Sequence, residues 1–211
     1  IGANESMSKS KKNVIDPEEI IKNYGSDSAR WFMLSDSPPD RDINWSDAGI
    51  HGSWRFCQKI WTTITSNIDI LIDTNINDEQ ENQTANAKTL LQRTYQSLDA
   101  VTKSIESFQM NVGVAKIYEL INHISKFEVA DKTEKSALKI SLKILIRIIE
   151  PMIPHLAEEC WSLCGNKTSL SSEPWPDVDE SYLIEETTMV VIQVNGKRRA
   201  EVETQVGANE D

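Results

Sequence analysis

Apolar residues repeated at steps of three and four are the feature that most limits the fold of this 211-residue chain. Between Ile50 and Ile64 this spacing places the apolar side chains along one side of a helix. The pattern returns over about 87–108, 112–127 and 132–150, and the last segment is nearly apolar from Leu142 to Ile149. We therefore predict an antiparallel bundle of amphipathic helices, in which the last of these helices is the most buried.

Two short helices are predicted before the bundle. Asp16 followed by Pro17 is typical of a helix start, because the carboxylate caps free N–H groups and proline fits the first helical position. Gly25 suits the position just past a helix end. Ser26 or Asp27 is then expected to cap the second helix.

A long helix is predicted from Ser46 or Asp47 to about Ile72. Trp54 and Trp61 lie seven residues apart on it, and a seven-residue step keeps one helix face. We expect both rings in the core rather than on the surface as stacking platforms for bases.

The pattern changes to β-branched residues from Met189 onward. Asn195-Gly196 is a strong signal for a tight turn, and residues 197–202 can return as a second strand. A hairpin alone is marginally stable in water. We therefore expect it to belong to a small separate domain.

The composition is that of an ordinary globular protein, with 39% apolar and 26% charged residues. No apolar run approaches the roughly 20 residues that span a bilayer. The three cysteines are an odd number and fit free thiols in a reducing cytosol. Cys160 and Cys164 with His155 lack the four closely paired ligands of a structural zinc site, so no metal site is predicted.

The net charge of −11 argues against unspecific wrapping of nucleic acid. The basic residues nevertheless gather in small patches, which a specific RNA could use. The first patch holds Lys9, Lys11 and Lys12, interleaved with Ser8 and Ser10. Mobile ammonium groups beside hydroxyl donors suit a polyphosphate. An ordinary solvated lysine run is the alternative interpretation.

Ser6-Met7-Ser8-Lys9-Ser10 resembles the KMSKS signature loop of class I aminoacyl-tRNA synthetases. Further blocks resemble bacterial-type leucyl-tRNA synthetases in the same order along the chain, namely residues 11–17, 24–30, 37–47, 151–159, 175–179 and 193–197. The block with Pro38-Pro39 and the Gln193–Lys197 turn favour the leucyl enzymes over the valyl ones. The family's loop usually opens with lysine, where this chain has Ser6.

The resemblance implies a mainly α fold. An antiparallel helical bundle of the anticodon-binding type would be preceded by the end of a nucleotide-binding α/β domain and followed by a short β-hairpin. The expected bounds are 1–46 for the end of the catalytic domain, 47–186 for the helical domain and 187–211 for the start of a small domain that contacts tRNA.

The resemblance also implies the reaction of a leucine–tRNA ligase, which activates leucine with ATP and Mg²⁺ and transfers it to tRNA(Leu). Ser6, Met7, Ser8, Lys9 and Ser10 would bind ATP, and Lys9 would be the catalytic residue. The leucine pocket and the editing domain have no counterpart here, so the chain alone is expected to be inactive.

The resemblance further implies contacts to tRNA at Arg55 and Lys59, one turn apart on the long helix, and at Lys197 and Arg198 after the turn, next to Arg199. Solvated basic pairs are the alternative at both places. The family implies a cytoplasmic monomer that does not contact membranes. Two rival interpretations are a valyl enzyme and a non-catalytic helical interaction module.

Overall fold

The computed structural model describes residues 5–76, 83–184, 187–194 and 197–205. It divides into two compact units, Ile1–Val178 and Asp179–Asp211. The first unit contains the helices α1 (Pro17–Tyr24), α2 (Ser26–Ser35), α3 (Asp47–Thr65), α4 (Ile68–Ile72), α5 (Ala85–Glu106), α6 (Met110–Ile124), α7 (Lys132–Ile149) and α8 (Pro154–Leu163), and a 3₁₀ turn at Leu170–Ser172. The predicted mainly helical bundle is confirmed.

The bundle core is centred on α5, which packs on α6 and on α7 more extensively than any other two of the described helices pack on each other. Helix α7 is buried around most of its circumference, and Leu142 and Leu145 are fully enclosed. A buried hydrogen bond of 2.8 Å from Thr94 Oγ1 to Ser141 Oγ joins α5 to α7. The prediction that this helix is the most buried is confirmed.

Helix α1 begins as predicted, because Asp16 Oδ1 accepts from the N–H of Glu18 at 2.9 Å. Its end is marked by Gly25 at φ +84°, a conformation that glycine adopts without strain. The cap predicted for α2 is wrong: Gly25 itself is the N-cap, and neither Ser26 nor Asp27 serves that helix. The Asp27 carboxylate is engaged elsewhere, as described below.

Helix α3 begins with Ser46 as its cap, whose Oγ accepts from the N–H of Gly49 at 3.1 Å. The predicted single helix to Ile72 is wrong, since α3 ends at Thr65 and α4 follows after a turn. Near the break, Thr65 Oγ1 and Asn67 Nδ2 donate to carbonyl oxygens one turn back. Such side chains compete with the backbone bonds that would continue a helix.

Aromatic contacts hold α2 against the bundle. Trp31 is fully buried, its ring centroid lies 5.0 Å from that of Phe56, and its Nε1 donates to the Tyr118 hydroxyl at 3.0 Å. Phe32 packs edge-on against Trp45 at 5.1 Å. The segment that carries residues 5–46 is thereby joined to α3 and α6.

Trp54 and Trp61 are half-buried, so their predicted place in the core is wrong. The buried stripe of α3 passes through Ile50, Cys57 and Ile64. Trp54 lies beside this stripe and stacks on His51 at 5.6 Å. The seven-residue spacing does keep the two rings on one face of α3. That face lies at the margin of the bundle, where the rings stay half-buried.

The second unit contains a 3₁₀ turn at Glu180–Tyr182 and two antiparallel strands, β1 (Thr187–Val194) and β2 (Lys197–Gln205). Val190 pairs with Val202, and the register shifts between Ile192 and Gln193. The predicted Asn195-Gly196 turn lies outside the described residues.

Candidate functional site

The loop over residues 6–10 is an exposed double turn ahead of α1. The N–H of Lys11 donates to the Ser8 carbonyl, and the N–H of Lys12 donates to the Lys9 carbonyl, both at 3.2 Å. Lys12 has φ +53°, which closes the turn in the left-handed region. The tight double turn leaves the Lys9 side chain exposed to solvent.

Asn13 closes this loop, although the sequence pattern did not single it out. Its Oδ1 accepts from the N–H of Ser8 at 2.8 Å, and its Nδ2 donates to the Ser6 carbonyl at 3.3 Å. Residues 6–13 therefore form a ring that presents Lys9. An asparagine shortly after a polar loop is the available sequence signal, since its amide can mimic a backbone turn.

A groove of about 620 Å³ lies beside the loop. Ser6, Met7 and Asn13 line one side of it, and residues 41–45 line the other. Lys11 Nζ lies 3.5 Å from the carboxylate of Glu5, which also lines the groove. Among the predicted loop residues, Ser6 and Met7 face the groove, while Lys9 and Ser10 are exposed outside its lining.

A polar latch joins α2 to the start of α8. Asp27 Oδ2 accepts from the N–H of Leu156 at 2.7 Å, and its Oδ1 lies 2.8 Å from His155 Nδ1. The buried Asp27 carboxylate thus caps the N-terminus of a helix remote in sequence. The His155 side chain is 74% exposed, and its Nδ1 also lies 3.3 Å from Ser26 Oγ.

Arg30 adds to the same latch. Its Nε donates to the Met152 carbonyl at 2.9 Å and its Nη2 to the Pro151 carbonyl at 2.8 Å. These are carbonyls freed at the turn between α7 and α8. One acidic and one basic side chain of α2, Asp27 and Arg30, therefore both bind α2 to the segment where α8 begins.

Arg55 and Lys59 lie on one side of α3, as predicted, and line a groove of about 450 Å³ next to the end of α6. Arg55 is exposed, and Lys59 is half-buried. Lys59 Nζ donates to Asn122 Oδ1 at 2.6 Å. The structure thus brings this basic pair to a polar depression between two helices.

A second groove, of about 350 Å³, lies on the other side of the α6 end and is lined by Arg93, His123 and Lys126. Arg93 Nη1 lies 2.8 Å from His123 Nε2. Burial, followed by the Arg93 charge, lowers the pKa of His123. Sequence reasoning missed this cluster, because its members come from two helices and show no pattern in the chain.

Lys197 and Arg198 begin β2, and their side chains lie outside the described ones. Arg199 is exposed. Their predicted contact with tRNA stays a prediction.

The three cysteines are free, and burial raises the pKa of Cys57 to about 11 and that of Cys160 to about 12. Within the described ranges, no three histidine, cysteine or acidic side chains come together as a metal site. Among those same residues, no helix has the length and apolar character to cross a bilayer.

Residues 87–211 match the model of the anticodon-binding domain of tRNA ligases. The chain belongs to this family. Residues 3–46, which include the loop, match the class I tRNA synthetases for isoleucine, leucine, methionine and valine. The two matches cover the loop segment and most of the bundle.

Relatives among curated proteins are leucine–tRNA ligases. The ligase of Parvibaculum lavamentivorans is 44% identical over 202 residues, covering 96% of the chain and 23% of the relative. The ligase of Maricaulis maris is 40% identical over 218 residues, covering 100% of the chain and 24% of the relative. The chain thus spans about a quarter of these relatives' length.

A solved structure extends the likeness to the fold. A LeuRS of Agrobacterium radiobacter K84, in a ternary complex with tRNA and LeuAMS, superimposes with a TM-score of 0.76 at 26% identity. The match covers 97% of the chain and 26% of that structure. The resemblance to leucyl-tRNA synthetases drawn from the sequence is confirmed.

Proposed function

We propose that the chain is part of a leucine–tRNA ligase, which activates leucine with ATP and joins it to tRNA(Leu). One observation carries this proposal: a class I synthetase match and an anticodon-binding match follow each other in one chain. Identities of 40–44% to leucine–tRNA ligases along 96–100% of the chain favour leucine over valine. They also speak against a non-catalytic helical module.

In this proposal the loop of residues 6–10 binds the phosphates of ATP. Activation is an attack of the leucine carboxylate on the α-phosphate, and negative charge develops on the departing pyrophosphate. The exposed Lys9 ammonium, held on a closed double turn, supplies the positive charge that stabilises it. Mg²⁺ would accompany the substrate ATP, and we assign no residue of this chain to it.

Pyrophosphate exchange that depends on leucine tests this role in the full-length protein that carries the chain. Lys9→Ala is expected to lower the exchange rate by about a hundredfold, the scale for losing one donor that stabilises the transition state. Lys22→Ala removes an exposed lysine of α1 as the matched control and should stay near wild type. Near-normal exchange in Lys9→Ala would contradict the assignment.

The tRNA-binding part would comprise Arg55 and Lys59 together with Lys197 and Arg198. The polar groove beside Arg55 and Lys59 supports the first pair, because phosphate contacts need cations and hydrogen-bond donors. Binding of tRNA(Leu), compared with valine and methionine tRNAs across a salt series, tests the partner. A preference for tRNA(Leu) supports the leucyl proposal, whereas a preference for tRNA(Val) would favour the valyl alternative.

The domain bounds remain proposals. The class I match ends at residue 46, which supports 1–46 as the end of a catalytic domain. The compact units divide after Val178, somewhat before the proposed bound between 47–186 and 187–211. A cytoplasmic location, a monomeric state and inactivity of the chain by itself are also proposed on the family resemblance.

A further inference from the structure

We infer that the cleft between α4, α7 and the end of α8 binds a small organic anion with a flat apolar body, such as an aromatic carboxylate or sulfonate. We call this space the α7 cleft. The inference goes beyond the proposed function and does not depend on it. Its grounds are the volume of the cleft, the cations that line it and the apolar side chains beside them.

The α7 cleft has the size of a small-molecule site. Its volume is about 480 Å³, and pockets for small ligands commonly measure about 300–1,000 Å³. Helices α4 and α8 both pack on α7. The cleft therefore lies over α7, with Leu71, Ile72 and Thr74 on one side and Trp161, Cys164 and Asn166 on the other.

Three cations of α7 line the cleft. Lys139, Lys143 and Arg147 follow one another at four-residue steps, which places them on one side of the helix at successive turns. Lys139 is buried, with only 6% of its surface exposed. Among the described residues that line the cleft there is no aspartate or glutamate. This lining therefore presents charge of a single sign to a ligand.

Neutral groups hold two of these cations. Lys139 Nζ donates to the carbonyl oxygens of Asp73 at 2.6 Å and of Ile76 at 3.2 Å, and Arg147 Nη2 donates to the Pro174 carbonyl. Within the described ranges, neither cation has a carboxylate within 4 Å. Carbonyl oxygens orient a cation without neutralising it, and a buried charge without an ionised partner is costly. An anion in the cleft would supply that partner to cations that are already oriented.

Apolar side chains complete the cleft and suit the body of such a ligand. Leu71, Ile72, Ile146 and Trp161 all line it. Ile72 is 50% exposed, so its side chain has surface left to bury. Trp161 Nε1 already donates to the Thr168 carbonyl at 3.0 Å. The indole N–H is therefore engaged within the protein, and the ring contributes apolar surface to the cleft.

Cys164 provides a reporter inside the cleft. Its side chain lines the cleft and is half-buried, whereas Cys57 and Cys160 are buried. Burial raises the pKa of Cys164, and the charge of Lys143 acts in the opposite direction. The thiol therefore lies close to the cations of α7. A ligand that contacts these cations should cover the thiol and slow its alkylation.

Protection of Cys164 from iodoacetamide tests the inference in the full-length protein. The probe is anilinonaphthalene sulfonate, and mass spectrometry of the peptide that contains Cys164 measures the alkylation. At a probe concentration of about ten times its Kd, we expect alkylation to slow by about tenfold. The concentration that gives half protection reports the Kd of this cleft.

A neutral probe tests the requirement for negative charge. N-phenylnaphthylamine has the same rings without the sulfonate. It should need a concentration about tenfold higher for half protection, on the scale of one hydrogen bond to a charged group.

Variants of the lining assign the charge to named side chains. Arg147→Gln should raise the half-protecting concentration of the sulfonate by about tenfold and leave that of the neutral probe unchanged, whereas Arg147→Lys keeps the charge and should keep the preference for the sulfonate. Ile72→Ser should weaken both probes. Lys132→Gln removes an exposed cation from the start of the same helix, outside the cleft, and is the matched control that should behave as wild type. Circular dichroism checks the folding of each variant, and Lys143→Gln replaces Arg147→Gln if that variant does not fold.

Loss of the sulfonate preference in Arg147→Gln but not in Lys132→Gln would support the inference. Unchanged alkylation of Cys164 in the presence of the sulfonate would overturn it. Equal protection by the two probes, or wild-type sulfonate affinity in Arg147→Gln, would overturn it as well. Because this assay uses neither ATP nor tRNA, its outcome is independent of the proposed ligase activity.

Discussion

Alanine at Gly49 tests how tightly α2 packs on α3. An added Cβ would lie 2.5 Å from Phe32 Cε2 and 3.2 Å from Phe32 Cδ2. The same change at Gly52, one turn further along α3, meets no heavy atom within 4 Å. The two glycines thus form a matched pair in one helix.

The magnitude follows from two opposing effects. Alanine stabilises a helix relative to glycine by about 0.5–1 kcal/mol. Overpacking a closed contact costs about 1–3 kcal/mol. The Phe32 ring is buried and lies edge-on against Trp45, so it has little room to retreat. We expect Gly49→Ala to lower the free energy of unfolding by about 1–2 kcal/mol, and Gly52→Ala to raise it by about 0.5–1 kcal/mol.

Urea unfolding of both variants, followed by circular dichroism, measures the difference. The slope of the free energy against urea should stay constant, so that the midpoint alone reports stability. Equal midpoints for the two variants, or a more stable Gly49→Ala, would refute the close approach of Gly49 to Phe32.

Three further predictions concern the loop, the latch and the thiols. Asn13→Ala opens the loop ring, so hydrogen exchange of the Ser8 amide should accelerate, and leucine-dependent pyrophosphate exchange by the full-length protein should fall by about tenfold, on the scale of one lost hydrogen bond. Asn13→Asp keeps the acceptor and should keep the Ser8 amide protected. Equal hydrogen exchange of this amide in Asn13→Ala and the wild type would contradict the ring. Asp27→Ala removes the cap of α8 and should lower the free energy of unfolding by about 1–2 kcal/mol in urea, whereas His155→Ala, at an exposed side chain, should cost less; the reverse order would count against the cap. Burial raises the pKa of Cys57 and Cys160 to about 11 and 12 from 9.0, so both thiols should resist iodoacetamide near neutral pH until the protein unfolds. Because the folded pKa values lie above the unfolded one, this contribution to stability is complete below pH 9 and is lost as the pH rises towards 11 and 12, and fast labelling of the folded protein would disprove the burial.

Local patterns predicted most of the bundle. The burial of α7 and the start of α1 at Asp16 follow from periodicity and capping, which depend on residues within a few positions. The break after Thr65 was missed because the apolar spacing continues through it. The competing side-chain bonds of Thr65 and Asn67 leave that spacing unchanged.

The sequence predicted the site residues that belong to a family motif or a helix pattern. It did not predict those whose partners lie far away along the chain. Lys9 and Arg55 came from motif resemblance and helix spacing. Arg93 did not, because its partner His123 lies 30 positions away and on another helix. Asp27 was expected to cap its own helix for the same reason, because the N–H that donates to its carboxylate belongs to the distant Leu156.

The reach of the Asp27 contact also bears on how the protein is made. Asp27 and Leu156 are 129 positions apart. A ribosome that adds about 5–20 residues per second delivers the second partner roughly 6–26 seconds after the first. During that interval the newly made α2 carries the Asp27 carboxylate without the Leu156 N–H that it later caps. The contacts of α2 are therefore complete only once α8 has been made, and until then water must satisfy the Asp27 carboxylate.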